Sequence, residues 1–256
     1  MIAKKAPEIE LGILKAEKIL FRLDGKFQLK HEGKVLEGDC EAALLDGHIS
    51  LKGKEGRTTF NDALILQPLD RELARFTLRD VIIGIGFHWE QKEDQEFQGA
   101  LKLMKFEDEI QVVNVISVED YLISVISSEM RGDSSPALLK AHTIISRSWL
   151  LAQMEKQKKL STETRKYQSR PEREGELIRW YDREDHSLFH VCADDHCQRY
   201  QGVTRAFSQE AVGAVAATRG RVLVFDGQVC DARFSKCCGG MTELFGSAWG
   251  DFDVPY

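Results

Sequence analysis

The sequence predicts an α+β protein, and two observations carry that expectation. Over the first hundred residues, apolar and polar positions alternate in short runs broken by glycine turns; from Ser117 the apolar spacing becomes helical. At 256 residues the chain is long for one small domain and short for three, so two are expected. The predicted division is a β-rich part over 1–108 and a mixed helix and strand core over 109–256.

In the first part, KILFRL and KFQLK flank Asp24-Gly25, and Asp46-Gly47 precedes HISLKG; both dipeptides read as hairpin turns. ARFTLRDVIIGIGFHW and FQGALKLMKF are expected to pair, with EQKEDQE as their polar connection. In the second part Val118, Tyr121, Leu122, Val125 and Ile126 fall on one helical face, Ser117 is the expected N-cap, and Gly132 the stop. Ser135-Pro136 begins a second helix, running to about residue 155. The polar stretch EKQKKLSTETRKYQSRPEREGE reads as a solvated helix end and loop. A helix from Ser208 to Thr218 and strands RVLVFDG and VCDARFSK complete the chain.

The net charge of −6, with no basic stripe interleaved with aromatics, argues against nucleic acid as a partner. No window approaches the roughly 20 continuous apolar residues of a transmembrane segment. MIAKKAPEIELG has a basic start without the apolar stretch of a signal peptide, which leaves retention inside the cell and removal of a signal both open.

Three clusters offer chemistry. Glu129 closes the first helix, where the negative end of the helix dipole disfavours the charged carboxylate and suits a general acid; a solvated helix end is the plainer reading. In HSLFHVCADDHCQRYQG, Cys192 and Cys197 lie beside His186, His190 and His196, soft ligands matched to a structural zinc; a Cys192–Cys197 disulfide is the alternative. His196 and Cys197 are adjacent, so a turn is needed for both to reach one ion. In DARFSKCCGGMTE, Gly239 and Gly240 allow a backbone to approach a ligand, flanked by Lys236, Cys237, Cys238 and Thr242; a simple turn is the alternative. A nucleophilic Cys238 paired with His142 or His196 has no supporting motif. Trp89, Trp149 and Trp249 are candidates for stacking on a sugar, or for the core.

Taken in order, VEDYLISVISSEMRGDSSPALLKAHTIISRSWLLA, the Cys/His cluster, EAVGAVAATRGRVLVFDGQVCDARFSKCCGGMTE and WGDFDVPY resemble the SpoIID/LytB domain family over about residues 109–256. The family includes the stage II sporulation protein D lytic transglycosylases and the amidase enhancer protein. The resemblance implies cleavage of the β-1,4 bond between N-acetylmuramic acid and N-acetylglucosamine in peptidoglycan glycan strands stripped of stem peptides, giving 1,6-anhydro ends. It implies Glu129 as catalyst, zinc held by His186, Cys192 and Cys197 with His196 a further ligand, and Arg147 lining a substrate groove with the Lys236, Cys238, Gly239 and Gly240 edge. A location outside the cytoplasm follows from that substrate. The alternative within the family is a non-catalytic glycan-binding protein that stimulates a cell-wall amidase. Cys237 and Cys238 stand where many relatives have serines, Phe234 where a tyrosine is frequent, and His142 where a glutamine is common. Relatives usually continue past the motif that ends at Tyr256, so part of the groove is expected to lie beyond this chain.

Overall fold

Residues with alternating burial must be sheet, and ten strands precede the first helix in the computed structural model, which describes residues 6–130, 134–160, 172–173, 176–177, 186–204, 208–235, 237–249 and 255–256. They are β1 (Glu8–Ala16), β2 (Lys18–Leu29), β3 (Val35–Leu45), β4 (His48–Gly53), β5 (Gly56–Phe60), β6 (Ala63–Pro68), β7 (Arg75–Ile83), β8 (Gln91–Phe97), β9 (Ala100–Phe106) and β10 (Glu109–Ser117). Then come α1 (Val118–Glu129), α2 (Pro136–Leu160), β11 (Glu172–Arg173), β12 (Glu176–Leu177), β13 (Val191–Cys192), α3 (Gln209–Ala217), β14 (Val224–Phe225), β15 (Gln228–Val229) and α4 (Phe245–Trp249). The fold is α+β.

β1 to β10 and β13 form one sheet, ordered β13-β1-β10-β9-β6-β2-β3-β4-β5, with β7 between β2 and β8. Its pairs are antiparallel except β13 on β1. Asp46-Gly47 makes the β3–β4 hairpin with both residues at positive φ, as expected. Asp24-Gly25 does not turn the chain. β2 runs straight through it, and the register against β3 slips between Leu23 and Phe27, so the dipeptide sits in a bulge. Burial decides this: Leu23, Phe27 and Leu29 all belong to the same core, and a hairpin would separate them. EQKEDQE is likewise no connection. Gln91–Phe97 is itself strand β8 on β7, while β9 pairs with β6 and β10.

The helices follow their sequence signals. Ser117 Oγ accepts from the Asp120 N–H at 3.1 Å, and the predicted apolar face of α1 is buried, with Val118, Tyr121, Leu122, Val125 and Ile126 at 1% exposure or less. α1 ends at Glu129 with Met130 as its C-cap; the expected stop, Gly132, lies outside the described residues. Ser135 Oγ accepts from the Leu138 N–H, and α2 runs on to Leu160, further than expected. Ser208 caps α3, which packs on α1. Strand RVLVFDG shrinks to Val224–Phe225, hairpinned through Asp226-Gly227 to Gln228–Val229, and VCDARFSK forms no further strand. None of the helices among the described residues is long and apolar enough to cross a membrane.

The chain divides into two compact units. One comprises 1–140 and 186–220; the other comprises 141–185 and 221–256. In the first, an aromatic series runs from sheet to helix: Phe27 against Phe76, Phe76 on Phe97, Phe97 beside Tyr200, and Tyr200 stacked on Tyr121 of α1 at 5.3 Å. In the second, α2 ties down the segment after residue 220. Arg147 Nη1 donates to the Arg221 carbonyl at 3.1 Å, the Leu223 N–H donates to Ser148 Oγ at 2.8 Å, and Gln153 donates to Asp231 at 3.0 Å.

The segment after β13 returns to the sheet at Gly202, where φ is +58 and an added Cβ would stand 2.1 Å from the Glu96 carbonyl oxygen. Gly202→Ala is expected to destabilise the protein by more than about 2 kcal/mol, because neither backbone can yield. Gly213→Ala on the open face of α3, where a Cβ meets nothing within 4 Å, should be neutral or stabilising by up to about 1 kcal/mol. Urea unfolding of the two variants checks the contrast.

Candidate functional site

The Cys/His segment is built on the edge of the large sheet. β13 pairs parallel to β1, setting Val191 beside Leu11 and Cys192 beside Gly12. Gly12 has no side chain because the Phe189 ring occupies that space; a Cβ there would lie 2.3 Å from it. Phe189 in turn packs against His186. A turn closed by the Cys197 N–H donating to the Asp194 carbonyl at 3.0 Å then bends the chain back. This is the turn that His196 and Cys197 need in order to face one point.

His186, Cys192, His196 and Cys197 bring one ligand atom each to within 4.8 Å of one another, forming a cluster that can hold a metal ion. The sulfur to nitrogen separations are 3.7 Å for Cys192–His196, 3.4 Å for Cys197–His186 and 3.5 Å for Cys197–His196. A tetrahedron with metal–sulfur bonds of about 2.3 Å and metal–nitrogen bonds of about 2.05 Å has an S···N edge of about 3.6 Å. The residues therefore fit a four-coordinate S₂N₂ centre. No disulfide joins Cys192 to Cys197. A hydrogen bond from Cys197 holds the Cys192 thiol far below the ordinary thiol range, with His186, His196 and the Asp194 backbone adding to it against the opposing effect of burial. Thiolate is the form that ligates metal. His190, the remaining histidine of the motif, is used differently: its Nδ1 accepts from the Glu10 N–H at 2.9 Å and its own N–H returns to the Glu10 carbonyl.

Directly after Cys197 the chain becomes a strap across α1. Tyr121 donates its hydroxyl to Gln198 Oε1 at 3.0 Å, the Arg199 N–H donates to Glu129 Oε1 at 3.0 Å, and the Gln201 N–H donates to Ser124 Oγ at 3.3 Å. Between them Tyr200 turns to the sheet and donates to Asn114 Oδ1 at 2.7 Å. Burial pushes the Tyr121 phenol well above its ordinary range, with the Cys197, Cys192 and Glu129 charges adding to it, so it stays protonated and donates. Glu129 is half-buried, and its second oxygen has no hydrogen-bond partner among the described residues. Sequence reasoning singled out Glu129 and the four cluster residues but not Gln198, Arg199 and Gln201. The run QRYQG after the cluster was the available signal.

Residues 106–225 match the family described as SpoIID, stage II sporulation protein. Over that segment the chain is similar to the SpoIID family. Among curated relatives, stage II sporulation protein D of Bacillus amyloliquefaciens is 27% identical over 154 residues, covering 56% of this chain and 38% of that protein. The chain thus spans well under half the length of that SpoIID relative. No solved structure matches it. The SpoIID segment holds α1 with Glu129, the four cluster residues and the strap, and it begins inside the sheet, at the end of β9.

The other expected site residues lie in the second unit. Arg147 is 1% exposed and serves the Arg221 carbonyl. Cys238, Gly239 and Gly240 are exposed; both glycines have positive φ, and the Met241 N–H closes a turn onto the Cys238 carbonyl. Lys236 lies outside the described residues, as does the Trp249 side chain. Trp149 is core at 5% exposure. No hydrogen bond joins Cys238 to His142 among the described residues.

His142 is instead buried edge-on against Phe234, with ring centroids 4.5 Å apart, and its Nε2 has no hydrogen-bond partner among the described residues. Burial lowers its pKa to about 4, from an ordinary value of 6.5. Between those limits the unfolded chain binds the proton and the folded chain refuses it. Stability tied to neutral His142 is therefore complete above about pH 6.5 and drains away as pH falls towards 4, by at most about 3 kcal/mol. His142→Gln should flatten this stretch of the stability profile, as measured by urea midpoints from pH 7 to pH 4.

Proposed function

We propose that the chain is a peptidoglycan lytic transglycosylase, with Glu129 as its acid and base and a structural zinc at His186, Cys192, His196 and Cys197. The SpoIID match over residues 106–225 supports a role at the cell wall. The observation that carries the finer reading is the held carboxylate: Glu129 stands at the end of α1 with one oxygen fixed by the Arg199 N–H and the other without a hydrogen-bond partner among the described residues.

One carboxylate suffices for this reaction. A hydrolase needs a second group to activate water. Here the C6 hydroxyl of N-acetylmuramic acid is the nucleophile. Protonated Glu129 gives its proton to the glycosidic oxygen as the bond from C1 to that oxygen breaks. The resulting carboxylate takes the C6 hydroxyl proton as C6–O bonds to C1. One bond is exchanged for another, the proton passes from O6 to the leaving O4 through Glu129, and no water is consumed. The Arg199 N–H keeps the carboxylate in one orientation through both transfers, so little reorganisation is left to the reacting state.

Zinc, when bound, supplies cross-linking of four side chains in a closed coordination shell, a structural role. The chain's own residues do the rest: the cluster loop ends at Cys197, and the strap that begins at Gln198 meets Glu129 one residue later. The exposed Cys238 to Gly240 turn of the second unit is a proposed substrate contact, as is Lys236; Arg147, buried on the Arg221 carbonyl, is proposed to hold that unit's backbone.

Incubation with glycan strands free of stem peptides should yield 1,6-anhydro products by mass spectrometry, and Glu129→Gln should reduce their rate by at least about a thousandfold. A wild type that binds glycan but forms no such product would instead fit a glycan-binding protein that stimulates an amidase. Metal analysis of protein purified without chelator is expected to find about one zinc per chain. The double variant Cys192→Ser, Cys197→Ser should lose it, and a bound disulfide form without metal would overturn the assignment.

A further inference from the structure

The connection from β7 to β8, residues Gly84–Glu90, carries two aromatic rings that the sheet has no use for. Phe87 is 51% exposed and Ile85 57%, yet neither sits on a slack loop. The Phe87 N–H donates to the Gly84 carbonyl at 2.9 Å, the Glu90 N–H donates to the Phe87 carbonyl at 3.0 Å, and the Gly86 N–H donates to Glu90 Oε2 at 2.8 Å. Phe87 stacks on half-buried Trp89 with centroids 5.6 Å apart and ring planes 16° apart. Gly84, at φ +68, makes room for that indole: a Cβ there would lie 2.4 Å from it. The loop therefore presents the flat Phe87 ring to solvent on a hydrogen-bonded, ring-stacked support.

Arg199 connects this loop to Glu129. Its backbone N–H holds Glu129 Oε1 at 3.0 Å, and its guanidinium carbon lies 5.0 Å from the centre of the Trp89 ring. The same arginine lines a shallow pocket with Gly84, Ile85, Trp89 and Asp194, the last from the cluster loop. Trp89 and Glu129 are thus linked through a single residue, Arg199, with Phe87 stacked on the far side of that link. A β-1,4-linked pyranose exposes an apolar C–H face that packs on a flat aromatic ring, while its rim of hydroxyl and acetamido groups wants polar neighbours. Exposed His88 and Glu90 border the rings and supply them.

We propose that the Phe87–Trp89 stack is a glycan subsite, on which a sugar ring of the strand packs while a neighbouring linkage reaches Glu129. This rests on the glycan reading above and extends it. Residues 84–90 precede the segment matched by the family, so the subsite belongs to this chain's own sheet. Phe87 is the specificity residue. Trp89 and Arg199 position it and tie it to the acid.

Binding of a GlcNAc–MurNAc tetrasaccharide, measured calorimetrically in a Glu129→Gln background, tests the subsite without turnover. Phe87→Ala should weaken binding roughly tenfold. Phe87→Trp should hold affinity near that of the parent, and Phe87→Leu, apolar but not flat, should resemble the alanine variant. Unchanged binding in Phe87→Ala overturns the proposal. Full affinity in Phe87→Leu overturns it too, since that result marks a face for an apolar protein surface rather than for a sugar. Product analysis of the otherwise wild-type chain reports separately on the chemistry. Anhydro products together with unaffected Phe87→Ala binding remove the subsite alone; weakened binding in a chain that forms no product keeps the subsite and removes the transglycosylase reaction.

Discussion

The hydrogen bond from the Arg199 N–H to Glu129 is the constraint around which the first unit is arranged. A carboxylate at the last residue of a helix has little to fix it, since the helix ends there and side-chain rotamers are open. The strap from Gln198 to Gln201 removes that freedom with three bonds to α1, and is itself fixed by Tyr200, whose ring stacks on Tyr121 and whose hydroxyl reaches Asn114 in the middle of the sheet. Asn114 is bonded in turn to the Gln98 and Ala100 carbonyls. The sheet, the strap and α1 are one connected network in which Asn114, Tyr121, Ser124, Gln198 and Tyr200 are buried and hydrogen-bonded, the condition under which polar groups rigidify a structure rather than weaken it.

The Cys/His cluster extends this logic to the chain's covalent neighbour. Closing four ligands around one point fixes the 186–197 segment, and metal binding of this kind is paid into folding, because the unfolded chain offers no preformed site. The strap begins at the next residue, so its entry is set by the cluster and its exit by Gly202 against β8. A segment pinned at both ends loses less entropy when it makes its bonds to α1. The proposed zinc is therefore connected to the proposed acid through backbone geometry, with no need for any electrostatic participation by the metal.

What the sequence disclosed divides by range. The face of α1, its Ser117 cap, the Ser135-Pro136 start and the Ser208 cap are patterns within a few residues, and all are present. The ligand set was legible because soft donors at close spacing are rare. The errors arose where distant burial overrode a local signal. Asp24-Gly25 has the composition of a hairpin turn, but the core requires Leu23 and Phe27 on the same strand. Gln91–Phe97 looks like a loop because only Gln95 and Phe97 of it are buried, as befits a strand with a single partner, β7. VCDARFSK has strand composition yet is held by side chains, Gln153 to Asp231 and Asp231 to Arg233, rather than by a ladder. Arg199 was invisible for a stronger reason: it reaches Glu129 across seventy residues with its backbone N–H, a group every non-proline residue has.

The backbone origin of that bond bears on how Glu129, the proposed acid and base, would serve two proton transfers. A partner that acted through its side chain would bring its own charge or its own titration to the site. A backbone N–H brings neither: it donates with fixed geometry at any pH. The guanidinium of the same residue is spent elsewhere, over the Trp89 ring, where a cation gains from the aromatic face. Arg199 thus divides its two functions between backbone and side chain, orienting Glu129 with one and bracing the aromatic loop with the other. Substituting its side chain disturbs the loop first and the carboxylate only through it, whereas no side-chain substitution short of proline removes the bond to Glu129 directly.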